Sequence, residues 1–337
     1  MNKYANRCMA TCVPGMETIV AAEIKESVKS ANNMRCVRGK VVFDCNAQNL
    51  DYSGMRCIDN LFKLLCTFKI GGHKSDLKEL GKNIAAIDFE SHSARPQRVI
   101  VSASRSGRHA YSRFDAAIEA ERGLTSAGGF IPGDAANHDL AVRIDITDEI
   151  CAVYKQLSSA RLRFRGNDFQ TMPGGIRPSA AHCLIKLSSP GNNDVFYDPF
   201  CGAGTIPFER SYYKSKKIFA SDISMTAVTA ARTNLEQSAV VFKADAVNST
   251  MKDKSVSTVV TNIPWGKQIA VPDAEALYYQ FIKELCRILT VDGKALILTD
   301  QRDLIHKAGV ENGMNVVQIG EMSLHGLHPF VYQIFRP

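Results

Sequence analysis

The sequence predicts an α/β protein of two parts: an α+β front half, and a second half built on a mostly parallel sheet with helices on both faces. At 337 residues the chain is long for one hydrophobic core, so two domains are expected. From residue 176 onward, candidate strands and helices alternate, which is typical of a parallel sheet. A glycine-containing turn, DPFCGAGT, joins the first strand of that series to the next helix.

The front half is predicted to be an α+β region without a nucleotide-binding loop. A strand at NRCMATCV ends at Pro14-Gly15, and the helix METIVAAEIKESVK follows before a pair of strands around RCVRGKVVFDC. A second helix, SDLKELGKNIAAI, would be capped by Ser75. The other elements expected before residue 158 are the strands LFKLLCTFKI, QRVIVSAS, DLAVRIDIT and EICAVYKQLS and the helix FDAAIEAERGLTSA.

Residues 158–175 are predicted to link the two halves, because few regular elements tolerate their closing Met-Pro-Gly-Gly. Arg161, Arg163 and Arg165 stand at alternate positions there, so in an extended chain they would point to one side and meet phosphate groups together. The arginines around the loop RSGRHAYSR are a second candidate set for phosphate contacts, with plain solvation as the alternative: Arg105, Arg108 and Arg113.

The second half is predicted to contain seven strands. In chain order the strands are DVFYDPF, KIFASDI, VVFKADA, VSTVVTNIP, KALILTD, MNVVQIGEMSL and FVYQIFR. The helices are RPSAAHCLIKLSS, GTIPFERSYYK, MTAVTAARTNLEQS, AEALYYQFIKELCRIL and QRDLIHKAG. Since no helix separates the last two strands, they are expected to form a hairpin at one edge, which makes the sheet mixed.

Charge and composition favour a cytoplasmic protein whose front half faces an anion. Of the net charge of +7, residues 1–165 carry +6, with 24 Lys and Arg against 18 Asp and Glu. Such an excess is compatible with RNA, although solvated lysines give the same count. No apolar run is long enough to cross a membrane, and the start of the chain lacks the features of a signal peptide. We therefore expect no membrane partner.

The cysteines and histidines predict no metal site. The ten cysteines are scattered without a Cys-x-x-Cys pair, and the eight histidines show no metal-ligand spacing. Reduced, buried cysteines are the expectation.

The turn DPFCGAGT has the properties of a cofactor loop. Gly202 and Gly204 would let a ligand approach the backbone at a helix N-terminus. Pro207 stands where a nicotinamide-binding turn would need a third glycine, and no Gly-Lys-Ser/Thr of a P-loop follows. Asp222 ends the next strand, where a carboxylate can accept ribose hydroxyls, and Asp245 ends the third, near a position suited to an adenine amine.

The stretch TNIPWG follows the fourth strand and predicts a site for a flat amine. The Asn262 side-chain oxygen and the Ile263 carbonyl would accept the two hydrogens of an exocyclic amine. Pro264 would fix the turn that aims both acceptors, and Trp265 would stack on an extruded base. Transfer would then be accelerated by positioning and electrostatics.

DPFCGAGT followed by NIPWG resembles the class I S-adenosylmethionine-dependent methyltransferases of exocyclic amines. With IRPSAAHCLIKL, CVPGMETIVAAEI and VIVSASRSGRHAYSRFDAAIEA, the chain is similar to the THUMP-domain RNA guanine-N2-methyltransferases, above all the tRNA enzymes that modify guanosine 6. The resemblance implies a ferredoxin-like domain (1–60), a THUMP RNA-binding domain (61–157), the linker (158–175) and a Rossmann-like methyltransferase domain (176–337) with a seven-stranded mixed sheet.

The same resemblance implies roles for single residues. The set Asp198, Cys201, Gly202, Gly204, Thr205, Asp222, Asp245 and Asn262 would bind S-adenosyl-L-methionine, which leaves as S-adenosyl-L-homocysteine. Asn262, Pro264 and Trp265 would hold the guanine. Apart from the resemblance, the position of Arg177 before the first strand of the second half makes it a candidate for contact with the RNA substrate or the cofactor carboxylate. Many family members have proline in place of Ile263 and tyrosine or phenylalanine in place of Trp265. The family also implies a tRNA partner, a monomer without an obligatory protein partner and a reaction without a metal.

Three alternatives remain at this point. The enzyme could modify another tRNA position or ribosomal RNA, because fold analogy does not select a nucleotide. Asn-x-Pro-aromatic also serves adenine-N6 methyltransferases, although the front half favours RNA over DNA. A non-catalytic RNA-binding protein with a vestigial methyltransferase domain is the third alternative.

Overall fold

The structure is a computed structural model that describes residues 6–46, 50–89, 95–165, 168–266, 271–324 and 326–337, with only the backbone of residues 160 and 161. Within these ranges the chain forms two sheets, one in each half. No described helix is long and apolar enough to cross a membrane.

The front half is built on one eight-stranded sheet. Its strands are β1 (Arg7–Cys12), β2 (Asn32–Val37), β3 (Lys40–Asp44), β4 (Ile58–Lys69), β5 (Gln97–Ser106), β6 (Phe130–Pro132), β7 (Leu140–Thr147) and β8 (Ile150–Gln156). Their order in the sheet is β2-β3-β1-β4-β8-β7-β5-β6. Strand β4 pairs antiparallel with β1 on one side and β8 on the other. The predicted boundary between residues 60 and 61 falls inside β4, so the division of the front half into two domains stays a prediction.

Among the described residues of the front half, three α-helices accompany this sheet: α1 (Glu17–Ser27), α2 (Leu77–Ala85) and α3 (Arg113–Ser126). Helices α2 and α3 cross closely, since a Cβ added at Gly123 would lie 2.2 Å from the Gly81 carbonyl oxygen. The prediction that Ser75 caps α2 is wrong. A short 3₁₀ turn, Lys74–Asp76, precedes the helix, and the carboxylate of Asp76 accepts the His73 N–H at 2.8 Å.

The second half contains the predicted seven-stranded mixed sheet. Its strands are β9 (Val195–Asp198), β10 (Lys217–Asp222), β11 (Val240–Lys243), β12 (Val256–Asn262), β13 (Leu289–Thr299), β14 (Asn315–Glu321) and β15 (Phe330–Phe335). The order is β11-β10-β9-β12-β13-β15-β14, with β9 to β13 parallel and β15 antiparallel to both its neighbours. The helices are α5 (Pro178–Leu187), α6 (Thr205–Arg210), α7 (Met225–Leu235), α8 (Ala274–Ile288) and α9 (Arg302–Glu311).

The linker differs from its predicted extended form. Residues Ala160–Phe164 form a short helix, α4, and Arg165 follows it in the left-handed region with φ of +61°. The arginines therefore do not point to one side of an extended chain. The side chain of Arg161 lies outside what the structure describes, and the guanidinium of Arg163 stacks on Phe164, 5.4 Å from the ring centre.

A polar junction and a shared apolar core join the two halves. We call the residues Arg56, Asp59, Arg165, Arg177, Ser179 and Glu209 the junction. The Glu209 carboxylate is fully buried, 2.8 Å from both Arg56 and Arg165 and 2.8 Å from His182 Nδ1. Burial alone would raise its pKa, but the hydrogen bond to His182 and the two arginine charges lower the pKa of Glu209 to about 2. In the apolar core, Val20 and Ile24 of α1 share one cluster with Leu184 of α5.

Candidate active site

The carboxyl ends of β9, β10, β11 and β12 face a cavity of about 610 Å³. The chain passes from β9 to β10 and β11 on one side and then to β12 on the other, so the order of strands reverses here. Ligands of doubly wound folds bind at such a point. The residues predicted from the motifs that line this cavity are Asp198, Cys201, Gly202, Thr205, Asp222, Asp245, Asn262, Ile263, Pro264 and Trp265.

The two glycines of the predicted cofactor loop have different structural roles. Gly202 and Gly204 have φ values of +53° and +85°, which favour glycine. A Cβ added at Gly202, which lines the cavity, would have no heavy atom within 4 Å. At Gly204 it would lie 2.9 Å from Leu235 Cδ1 on α7. Gly202 therefore leaves room for a ligand, whereas Gly204 lets the start of α6 pack closely on α7.

Asp198 ends β9 as a fully buried carboxyl group with one free oxygen. Its Oδ1 accepts the Thr261 hydroxyl at 2.7 Å and the Phe200 N–H at 3.2 Å. Its Oδ2 is buried and has no hydrogen-bond partner in the described structure. Burial raises the pKa of Asp198 to about 7, against these two hydrogen bonds. The site thus keeps a polar oxygen that a ligand donor would satisfy.

Asp222 ends β10, as predicted, and Asp245 lies two residues beyond the end of β11. The Asp222 carboxylate accepts the N–H groups of Gly202 at 3.0 Å and Ser224 at 2.9 Å, one at each oxygen. Asp245 accepts the Val247 N–H at 3.1 Å. A carboxylate has about four acceptor positions, so these backbone contacts orient both groups and leave each able to accept from a ligand.

Asn262 is held in one orientation by a residue that sequence analysis missed. Its Nδ2 donates to the Gly174 carbonyl oxygen at 3.1 Å. Because a carbonyl can only accept, the amide nitrogen must face Gly174, and Oδ1 must point the other way. That Oδ1 is buried without a partner in the described structure. Gly174 belongs to the Met-Pro-Gly-Gly turn. In the sequence, only the proline and glycines of this turn, which interrupt helices and strands, indicate that the segment is unusual.

The other residues of TNIPWG are fixed around this acceptor. Ile263 is 1% exposed, and its side chain packs in the hydrophobic core. The indole N–H of Trp265 donates to the Leu298 carbonyl at 3.2 Å, and the Trp265 carbonyl accepts from Gln301 at 3.3 Å. These two hydrogen bonds hold the indole and the backbone of Trp265 in place, and the residue lines the cavity.

Cys201 shows no property of a nucleophile. It lies 7% exposed in the turn, and burial raises the pKa of its thiol, so it is a neutral group. Its N–H donates to the Ser221 carbonyl at 3.0 Å, which ties the turn to β10.

The arginines predicted to contact RNA fall into two groups. Arg105, Arg108 and Arg113 are exposed near the end of β5 and the start of α3. Arg165, in contrast, is only 4% exposed and pairs with Glu209. The prediction that Arg165 contacts phosphate is therefore wrong, because its guanidinium is buried and paired with the Glu209 carboxylate. Arg177 lines the cavity, but its Nη1 lies 2.7 Å from Asp59 Oδ2.

Residues 165–329 match the family model described as UPF0020: RMKL-like, methyltransferase domain. Over 270 residues the chain is 27% identical to the tRNA (guanine(6)-N(2))-methyltransferase THUMP3 of Mus musculus. The matched region covers 71% of this chain and 52% of that protein. The chain is 20% identical over 345 residues to the tRNA (guanine(6)-N2)-methyltransferase of Archaeoglobus fulgidus. That matched region covers 91% of this chain and 86% of the archaeal protein. The chain spans about half the length of the mouse relative.

The crystal structure of TrmN from Thermus thermophilus has the same fold as this chain. The TM-score is 0.82 at 20% identity, and the match covers 98% of this chain and 99% of the other. The shared fold therefore extends over both halves.

Proposed function

We propose that this chain, whose residues 165–329 match the RMKL-like methyltransferase domain model, transfers a methyl group from S-adenosyl-L-methionine to N2 of a guanosine in tRNA. The observation that carries the proposal is Asn262 Oδ1, a buried acceptor without a partner that faces away from Gly174. An exocyclic amine is the group such an acceptor suits, because the amine has hydrogens to donate.

The residues around the cavity fit the proposed cofactor. When bound, S-adenosyl-L-methionine supplies a methyl group on a sulfonium, which needs no metal to leave. Gly202 provides the open backbone position. Asp198 Oδ2 is an acceptor without a partner in the described structure, and the ammonium group of the methionine end could donate to it. Asp222 and Asp245 would accept hydrogen bonds from the ribose and the adenine.

The chain's own groups would accelerate the transfer by position. Asn262 Oδ1 and the Ile263 carbonyl accept the amine hydrogens, which draws electron density onto the nitrogen and aims its lone pair at the methyl group. Trp265, fixed through Leu298 and Gln301, supplies a flat apolar wall for the base.

The choice of tRNA, and of guanosine 6, follows the names of the relatives above. The exposed arginines of the front half and its charge of +6 support an RNA partner. Phosphate contacts there would position the RNA without reading its sequence.

The test is transfer of a labelled methyl group to unmodified tRNA, to ribosomal RNA and to duplex DNA, followed by nucleoside analysis. We expect N2-methylguanosine from tRNA alone. Label on adenosine, or label confined to ribosomal RNA or DNA, would replace the proposal with one of its alternatives. Absence of transfer with normal cofactor binding would favour a vestigial domain.

A further inference from the structure

A second group of buried polar side chains lies outside the cavity, where α1 meets α5. It consists of Glu23 on α1, Cys57 just before β4, and His182 on α5. All three residues are no more than 2% exposed. One carboxylate oxygen, the thiol sulfur and one imidazole nitrogen lie within 4.8 Å of one another. These are three of the side-chain atoms that bind transition metals in proteins.

The imidazole of His182 is already prepared for a ligand role. Its Nδ1 lies 2.8 Å from Glu209 Oε2, and Glu209 is paired with Arg56 and Arg165. An ionised carboxylate can only accept, so in the neutral ring Nδ1 carries the proton and Nε2 has the lone pair, which accepts the Tyr213 hydroxyl hydrogen and could instead bind an ion. A carboxylate behind a histidine fixes tautomer and ring orientation in this way in metal sites.

The spacing around Nε2 agrees with a four-coordinate site. Nε2 lies 3.6 Å from Glu23 Oε1, which is longer than a hydrogen bond. For zinc, ligand distances of about 2.0–2.3 Å in a tetrahedron place neighbouring donor atoms about 3.3–3.8 Å apart. The Tyr213 hydroxyl lies 2.9 Å from Nε2 and is its hydrogen-bond partner in this structure, so an ion bound at Nε2 would replace that contact. The Cys183 sulfur lies 4.0 Å from the Cys57 carbonyl oxygen.

We propose that Glu23, Cys57 and His182 bind a structural zinc ion that fastens the front half to the methyltransferase half. A mixed set of sulfur, nitrogen and oxygen atoms suits zinc, whereas magnesium and calcium take oxygen ligands. The carboxylate and the thiolate would balance the charge of the ion. Because all three residues are buried and lie outside the cavity, the ion would hold structure and take no part in methyl transfer.

The experiment measures zinc in the full-length purified protein by mass spectrometry of the metal content. Two variants remove one ligand each. His182→Asn retains a nitrogen donor for Glu209 and loses Nε2, and Cys57→Ser loses the thiolate. Cys151→Ser, a buried cysteine in the front-half core, is the matched control. We expect stoichiometric zinc in the wild type and the control, and loss of zinc in both ligand variants.

Added chelator and added cobalt complete the test. A chelator should lower the melting temperature of the wild type and the control while leaving His182→Asn unchanged, and cobalt should give thiolate-to-metal absorption that Cys57→Ser lacks. Zinc that persists in folded His182→Asn and Cys57→Ser would overturn the proposal. So would a wild type that holds no zinc as purified and takes up neither zinc nor cobalt, since the cluster would then be a hydrogen-bonded network.

Discussion

Glu209 of the junction and two acceptor groups of the cavity are all buried, but their hydrogen-bonding states are opposite. At the junction, Glu209 accepts hydrogen bonds from Arg56, Arg165 and His182. In the cavity, Asn262 Oδ1 and Asp198 Oδ2 are buried without partners in the described structure. An unsatisfied buried polar atom costs about 1–3 kcal/mol. The comparison teaches that the Glu209 carboxylate joins the halves, while the cavity keeps acceptors for a ligand.

The largest expected effect is on the junction. Glu209→Gln would leave two buried or half-buried arginines without their counter-charge, so the free energy of unfolding should fall by about 3–5 kcal/mol. Urea unfolding measures this loss. Glu275→Gln breaks an exposed ion pair with Lys307 and should leave the midpoint unchanged. Equal midpoints for Glu209→Gln and the wild type would show that the junction does not hold the halves together.

The second prediction concerns Asn262 Oδ1, the unpaired acceptor of the cavity. Asn262→Ala should lower kcat about 100- to 1,000-fold, the usual cost of losing one positioned hydrogen-bonding group. Binding of S-adenosyl-L-homocysteine, measured by calorimetry, should change far less. Asn312→Ala, at the end of α9, is the matched control and should retain full activity. Full turnover by Asn262→Ala would exclude the proposed role of Oδ1.

The two glycines of the turn separate ligand binding from packing. Gly204→Ala should destabilise the protein by about 1–3 kcal/mol, because its Cβ would crowd Leu235 at a positive φ. Gly202→Ala should mainly weaken binding of S-adenosyl-L-homocysteine, since its Cβ would enter the open cavity. Thermal unfolding with and without ligand distinguishes the two variants. Loss of binding in Gly204→Ala at normal stability would reverse the assignment.

The smallest effect concerns the pH dependence of stability. Burial raises the pKa of Asp198 to about 7 from a value of 3.8. The stabilisation from its bound proton is fully present below pH 3.8 and is lost as the pH rises through about 7. The wild type should therefore lose stability relative to Asp198→Asn across this window, as urea unfolding at several pH values would show. A constant difference would indicate that Asp198 is ionised throughout.

The sequence was sufficient for the features that depend on local patterns. The alternation of strands and helices predicts the seven-stranded mixed sheet. Its closing hairpin is predicted because no helical segment separates the last two strands in the sequence. Asp198, Gly202, Asp222, Asp245 and Asn262 were placed at the cavity because parallel strands end on one side of a sheet.

What failed or was missed depends on contacts between distant residues. Arg165 was expected at a phosphate, but its partner Glu209 lies 44 positions away. Gly174 and Asn262 are 88 positions apart, and no spacing rule joins them. The cluster of Glu23, Cys57 and His182 is likewise formed by residues far apart in the chain, so no short-range pattern marks it.

The most direct test of the central claim is to locate the methyl group on a defined tRNA. Labelled methyl transfer to an unmodified transcript, followed by nuclease digestion and mass spectrometry, identifies both nucleoside and position. We predict N2-methylguanosine at guanosine 6, and no label when adenosine replaces that guanosine. Label on an adenosine, or undiminished label on the replaced transcript, would contradict the account.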